Sequence, residues 1–211
     1  MSPEFKKRGT PGCGLLIAFE GIDGTGKTTQ IRLLAHALTA RGYHVRETRE
    51  PTNGPYGQKI RALYLDRAGT SLEEELDLFV ADRRQHVDEV IEPDLAAGKI
   101  VLTDRYYFST AAYQGAAGLD PDRIIRLNEE FAPRPDLVIL LVAPPGIGVH
   151  RVQVLRQETL NDFEQEDYLA KVAAVFDGLG QKCIRRIDAT RAVEEVHNDV
   201  IIVFEQLLND D

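Results

Sequence analysis

Phe19 to Gln30 reads Phe-Glu-Gly-Ile-Asp-Gly-Thr-Gly-Lys-Thr-Thr-Gln. Gly21, Gly26, Lys27 and Thr28 meet the spacing of a phosphate-binding loop: a glycine, four residues, then Gly-Lys followed by Ser or Thr. The residue types dictate the chemistry. Glycines let successive backbone N–H groups turn inward around a phosphate, and a helix starting directly afterwards presents its positive end to the same anion. Lys27 would reach the β- and γ-phosphates of a nucleoside triphosphate, and the Thr28 hydroxyl would sit on Mg²⁺. Gly21, Ile22, Asp23, Gly24, Thr25, Gly26, Lys27, Thr28 and Thr29 form the candidate triphosphate cradle. The plain alternative, a glycine turn that binds nothing, would leave Lys27 inside an anion nest without an anion.

A second magnesium-associated group is expected beside such a loop, at the end of a buried strand. Asp104 closes the apolar run Ile100–Thr103. In a parallel sheet it would lie at the same carboxyl edge as the loop, where ligands gather. Cations are scattered after different elements: Arg49, Arg83, Arg105, Arg151 and Arg156. Phosphoryl transfer between two phosphates gathers negative charge and needs little acid–base chemistry, so fixed cations are its expected catalysts. Arg83 stands one helical turn from Phe79, which turns an apolar ring and a cation towards one space, as a base with a phosphate would need. Structural ion pairs for Arg83 and Arg105, and plain core packing for Phe79 and Tyr113, are the competing readings.

These groups need a frame. Leu15–Phe19 is long enough for one buried strand, and Ile31, Leu34, Ala35 and Leu38 recur at helical spacing after the loop. Arg41-Gly42 stops that helix, and Tyr43–Thr48 reads as a second strand ended by Pro51. Gln58–Leu65 reads as a short helix. Ser71 and Glu74 form a capping box that opens a long helix running towards Gly98. Strands follow at Ile100–Thr103, Leu137–Val142 and Cys183–Ile187. Helices are expected from an Asp120 N-cap with Pro121 at the first position through Phe131, and over Gly148–Gln157, Phe163–Leu179 and Arg191–Leu208, while no element is assigned to Thr110–Gly115. Strands alternating with helices imply an α/β fold of three layers, a parallel sheet flanked by helices in the manner of P-loop NTPases.

With 211 residues and no low-complexity linker, residues 15–211 suit one domain, and 1–14 a loose tail. Thirty-four acidic against 25 basic residues, net −9, argue against a nucleic-acid partner. Cys13 and Cys183 lie far apart without metal-like spacing and read as reduced thiols of a cytoplasmic protein. No apolar stretch reaches membrane-spanning length, and the first residues lack the apolar core of a signal peptide. A switch GTPase would carry an Asn-Lys-x-Asp box that is missing here, and the chain is short for an ATP-driven motor. A small-molecule kinase remains.

Six segments in order, Phe19–Gln30, Arg49-Glu-Pro51, Leu78–His86, Asp104-Arg-Tyr106, Ala112–Gly115 and Ile187–Val196, resemble thymidylate kinases. The resemblance covers Leu15 to Leu208. It implies transfer of the γ-phosphoryl group of ATP to thymidine monophosphate (dTMP), with Mg²⁺, for dTTP synthesis, in a cytoplasmic homodimer. Lys27 and Thr28 would serve the ATP phosphates and the metal. Asp23 and Asp104 would organise the metal, its waters and the acceptor's sugar–phosphate region. Arg105, aided by Arg49, would hold the acceptor phosphate. Phe79 would stack on thymine, Arg83 and Gln114 would bond its polar edge, Pro51 and Thr110 would line the pocket, and Tyr113 would pack against the deoxyribose. Arg191 would lie beside adenine.

The departures from the family pattern are local. Thr25 stands where some members carry a basic residue, so the lid, approximately residues 151–166, should supply the cation. Asn161-Asp162 replaces the usual acidic-Arg or Asn-Arg pair, leaving Arg156 first and Arg151 second for that duty. The segment Leu141–Pro145 lacks the acidic residue that often follows this strand. The alternatives are a kinase with another nucleotide or nucleoside acceptor, and a nucleotide-binding paralogue weakened at Asp162.

Overall fold

A strand covered on both faces should be apolar throughout rather than alternating, and β1 (Leu15–Glu20) is buried at every position. The computed structural model describes residues 14–64, 67, 69–156 and 166–209, without the side chains of 152–156. Leu15, Ile17 and Phe19 enter one core, against Ile31, Leu34 and Leu38 of α1 (Lys27–Ala40) and Val200 and Phe204 of α9 (Val193–Asn209). Leu16 and Ala18 enter the other core, on the opposite face of the sheet. The period-2 geometry of one strand thus ties both helical layers to it.

The remaining strands are β2 (Val45–Arg49), β3 (Ile100–Asp104), β4 (Leu137–Val142) and β5 (Ile184–Asp188). They form one sheet in the order β2-β3-β1-β4-β5, every pair parallel. Strand order reverses at β1, whose neighbours are β3 on one side and β4 on the other. The loop after β1 therefore opens into the crevice where ligands bind in such sheets. The register aligns Phe19 and Arg49 with Asp104. That alignment puts the glycine loop, Arg49 and Asp104 on one edge.

Helices α2 (Pro55–Leu63), α3 (Leu72–His86), α6 (Pro121–Glu129), α7 (Pro145–Arg156) and α8 (Glu166–Gly178) complete the layers. The capping box at Ser71 and Glu74 is formed. The single helix expected from there to Gly98 is instead interrupted by a π turn at Val87–Ile91 before α4 (Glu92–Ala96). The Glu92 N–H reaches back to the Val87 carbonyl, five residues away. Pro93 is the physical reason: its ring crowds the carbonyl four residues earlier and it has no N–H to give.

A further helix, α5 (Tyr107–Ala116), occupies the stretch to which the sequence assigned no element. Tyr107 through Gln114 are all buried, so no polar face marks the helix in sequence. No helix among the described residues is long and apolar enough to cross a membrane.

Candidate active site

A cavity of about 520 Å³ opens at the carboxyl edge of β1, β2 and β3, a size that suits small organic ligands. Its floor at one end is the glycine loop. Gly21 and Gly24 have φ of +129° and +79°, conformations that a side chain resists. A Cβ on Gly24 would also fall 2.2 Å from the Gly148 carbonyl, so the first turn of α7 lies directly on the loop.

Lys27 is buried, and its Nζ donates to the Gly21 and Ile22 carbonyls, both at 3.0 Å. Burial, then the positive charge of Arg105, bring its pKa down to about 8 against the pull of Asp23, Asp104 and Glu20. The ammonium is therefore already gathered at the loop where a phosphate would arrive. Thr25 closes the turn, its hydroxyl donating to the Ile22 carbonyl at 2.9 Å.

Thr28 Oγ1 donates to Asp104 Oδ2 at 2.6 Å. This adjacent hydroxyl and carboxylate fit Mg²⁺. That ion keeps most of its waters and takes few protein oxygens beside substrate phosphates.

Between this end and the far wall stands Arg105. Its Nη1 donates to the Gly21 carbonyl (3.2 Å) and Ser109 Oγ (2.9 Å), and its Nη2 to Asp23 Oδ1 (2.9 Å) and Tyr113 OH (3.2 Å). Tyr113 OH in turn donates to Asp23 Oδ2 at 3.1 Å. Burial would raise the Asp23 carboxyl, but the Arg105 and Lys27 cations overcome it and hold the group well below the usual carboxylate range. Asp23 is thus an anion at working pH, paired with the cation that an acceptor phosphate would use.

The far wall is built by Pro51, Phe79, Arg83, Thr110 and Tyr113, with Arg49 at the rim bonded to Asn53 Oδ1 at 3.0 Å. Arg83 is 1% exposed. It bonds Glu50 through Nε and Nη2, Asn128 Oδ1 at 2.7 Å and Thr110 Oγ1 at 3.1 Å. Arg83 lines the cavity and is also a partner in a buried ion pair. His86 joins the network, its ring bridging Glu50 Oε1 (3.0 Å) and Thr48 Oγ1 (2.7 Å).

The sequence model of the family described as Thymidylate kinase matches residues 19–200. The chain belongs to the thymidylate kinase family. A thymidylate kinase of Desulfotalea psychrophila is 52% identical over 195 residues, 92% of this chain and 96% of that protein. One from Xanthomonas campestris is 47% identical over 190 residues, 89% and 81% of the two chains. One from Xylella fastidiosa is 46% identical over 187 residues, covering 87% and 83%.

Not every position carried over from the thymidylate kinase pattern reaches the cavity. Gln114 does not: it is fully buried behind the wall, and its Nε2 donates to Glu75 Oε1 at 2.9 Å. One helical step, a rotation of about 100°, turns it away from the face of α5 that Tyr113 presents to the cavity. Arg191 also stands outside the cavity lining, exposed and ion-paired with Asp199 and Asp188. Arg151 Nη1 donates to the Ala189 carbonyl at 2.9 Å and lies 3.5 Å from the Gly24 carbonyl, beside the loop but outside the cavity. The Arg156 side chain, Asp162 and most of the expected lid lie outside the described residues, as does the 1–13 portion of the tail.

Several contributors carried no sequence expectation, Ser109 beside Arg105 among them. Arg61 and Tyr64 line the cavity from the end of α2, with Arg61 Nη1 on the Pro51 carbonyl at 3.2 Å. Another is Glu20, fully buried at the end of β1. It accepts from the Tyr106 N–H (2.9 Å), the Ser109 N–H (3.2 Å) and the Ser109 hydroxyl. An acidic residue closing an apolar strand was the signal that found Asp104, and Glu20 carries the same signal.

Burial pushes the Glu20 carboxyl from 4.5 up to about 7, against the lowering effect of Ser109 and Arg105. The folded chain holds this proton more tightly than the unfolded one. Stability linked to Glu20 is therefore full below about pH 4.5 and declines as pH rises towards 7, by at most about 3 kcal/mol. Glu20→Gln lacks the titration. Its melting temperature relative to wild type should rise between pH 5 and pH 8; a constant difference would refute the assignment.

Proposed function

We infer that this chain transfers the γ-phosphoryl group of ATP to dTMP, giving ADP and thymidine diphosphate. The observation that carries the reading is the single cavity with Lys27 and Thr28 at one end, Phe79 and Arg83 at the other and Arg105 between them. A triphosphate on the loop and a nucleoside monophosphate against the far wall would meet phosphate to phosphate. Holding two reactants end to end, at reacting distance and away from water, supplies much of the acceleration that such transfers need.

Each group has a defined duty in this reading. Backbone N–H groups of Gly24 to Thr29 and the start of α1 cradle the donor phosphates, and Lys27 neutralises them. Thr28 and Asp104 would hold Mg²⁺, which when bound draws charge from the donor phosphates. Arg105, with Arg49 and Arg61 near it, takes the acceptor phosphate; the planar fork offers two parallel hydrogen bonds to an oxyanion pair. Phe79 offers a ring face to the base, and Arg83 and Thr110 bring polar groups to its edge. Tyr113, kept as a phenol by burial and held by Asp23 and Arg105, packs beside the sugar. Arg151, alongside the loop, is the described residue of the lid flank able to add positive charge during transfer.

The same reading makes ATP and dTMP the small-molecule partners, with no nucleic acid, in agreement with the net charge of −9. A cytoplasmic homodimer is the assembly the family resemblance implies, and light scattering of the purified chain tests it. The activity itself is tested by following ADP production with Mg²⁺, ATP and each common nucleoside monophosphate in turn. Turnover selective for dTMP is the expected result, together with a melting temperature raised more by dTMP than by the other monophosphates. Equal turnover with several acceptors would reassign the far wall, and binding without turnover would identify a nucleotide-binding relative.

A further inference from the structure

Arg105 is held in a backbone conformation that a residue with a side chain resists, φ +71°, and it is the one described non-glycine residue there. Such a position persists only where neighbours over-determine it. The Arg105 N–H donates to the Phe19 carbonyl at 2.9 Å, and Thr103 Oγ1 donates to the Arg105 carbonyl at 2.8 Å. The next N–H, that of Tyr106, donates to Glu20 Oε1 at 2.9 Å. At the other end of the side chain, Nη1 rests on Ser109 Oγ at 2.9 Å, and the Ser109 hydroxyl proton goes to Glu20 Oε2. In its ionised form the Glu20 carboxylate thus holds the backbone just after Arg105 through the Tyr106 N–H, and the guanidinium through Ser109.

Glu20 does not line the cavity, so it touches no ligand there. A role as a plain helix cap would be met by Oε1 alone, which takes the Tyr106 N–H and shares the Ser109 N–H with the Tyr106 carbonyl at the start of α5. The second oxygen is spent on the Ser109 hydroxyl, which contributes nothing to the helix backbone. Orienting that hydroxyl leaves its lone pairs facing the guanidinium, an arrangement that requires an acceptor at residue 20.

We propose that Glu20, acting through Ser109, is the positioning residue that aims the Arg105 guanidinium at the acceptor's phosphate. The proposal rests on the reading of Arg105 given under Proposed function. An amide would not substitute: its NH₂ would face Ser109 Oγ as a donor and leave the hydroxyl proton without an acceptor. Ser109→Ala removes the link while leaving Glu20 its two backbone donors.

The test compares two ligands that differ only by the phosphate. Dissociation constants for dTMP and for thymidine are measured by calorimetry on the full chain, as wild type, Ser109→Ala, Glu20→Gln and the double variant. Each single variant should lose about tenfold of the preference for dTMP over thymidine, with thymidine affinity unchanged. The double variant should lose no more than Ser109→Ala, because both changes cut one path. Folded variants that keep the wild-type preference within about twofold would overturn the proposal and leave Glu20 a helix cap. Parallel loss of thymidine affinity would also overturn it, as a general disturbance of the pocket. If Glu20→Gln does not fold, Ser109→Ala alone decides. A wild type without preference for dTMP over thymidine would remove the underlying reading, and the proposal with it.

Discussion

Arg105→Ala should lower kcat/KM for dTMP by about a thousandfold, roughly 4 kcal/mol of transition-state stabilisation. The guanidinium sits between the glycine loop and the far wall and is fixed by four partners: Gly21, Ser109, Asp23 and Tyr113. Removing it takes away the cation at the centre of the cavity. It also leaves Asp23, an anion at neutral pH, facing the arriving phosphate unpaired. Arg105→Lys restores charge without the fork, so it should recover only part of the loss, about tenfold. Steady-state kinetics with dTMP varied at saturating ATP, and the reverse, provide the check. A loss of less than about tenfold in Arg105→Ala, in a folded variant, would remove Arg105 from the transfer step.

Arg83→Met should destabilise the ligand-free chain by about 3–5 kcal/mol, the range found when one partner of a buried ion pair is removed. Glu50 and Arg83 are both almost fully buried, with side chains 4% and 1% exposed. Glu50 is held below the usual carboxylate range: burial would raise it, and Arg83 and His86 more than compensate. Without Arg83 the carboxylate keeps only His86, and the Asn128 and Thr110 oxygens lose a donor. For a chain of this size the change corresponds to a drop of roughly 10 °C or more in melting temperature. Replacing Glu50 with Gln in the same chain removes the stranded charge and should recover part of the loss. A shift of less than about 2 °C in Arg83→Met would show that the pair contributes little and that Arg83 is retained for the cavity alone.

Much of this architecture was readable residue by residue. The glycine loop announces itself through local spacing, because its function depends on backbone groups of consecutive residues. The runs Leu15–Phe19, Ile100–Leu102 and Leu137–Val142 are apolar because both sheet faces are covered, and their strands were placed to within a residue or so. Asp104 could be placed by its position at a strand end. The register of β1, β2 and β3 then brings it to Thr28 and Arg49 without any further information.

Other features were invisible along the chain. Helix α5 has no polar face, since α3, α6, α8 and the sheet enclose it, so its periodicity was lost. Without that helix, Gln114 and Tyr113 looked like neighbours in one site; the helix turns the first towards Glu75 and the second towards Asp23. Pro93 announced a disturbance in the long helix, but where the turn widened depended on packing. The partners of Arg83, separated from it by 33, 45 and 27 residues, could not be read from its own segment.

By itself the sequence determined the phosphate loop, the alternation of strands and helices and the residue types that the chemistry requires, because these are properties of neighbours along the chain. Only the tertiary structure decided which cations share a cavity, which are consumed by buried partners and which carboxylate holds Arg105 in place. Those outcomes depend on distances between groups far apart in sequence, and electrostatic and hydrogen-bond energies are set by those distances and by the exclusion of water around them.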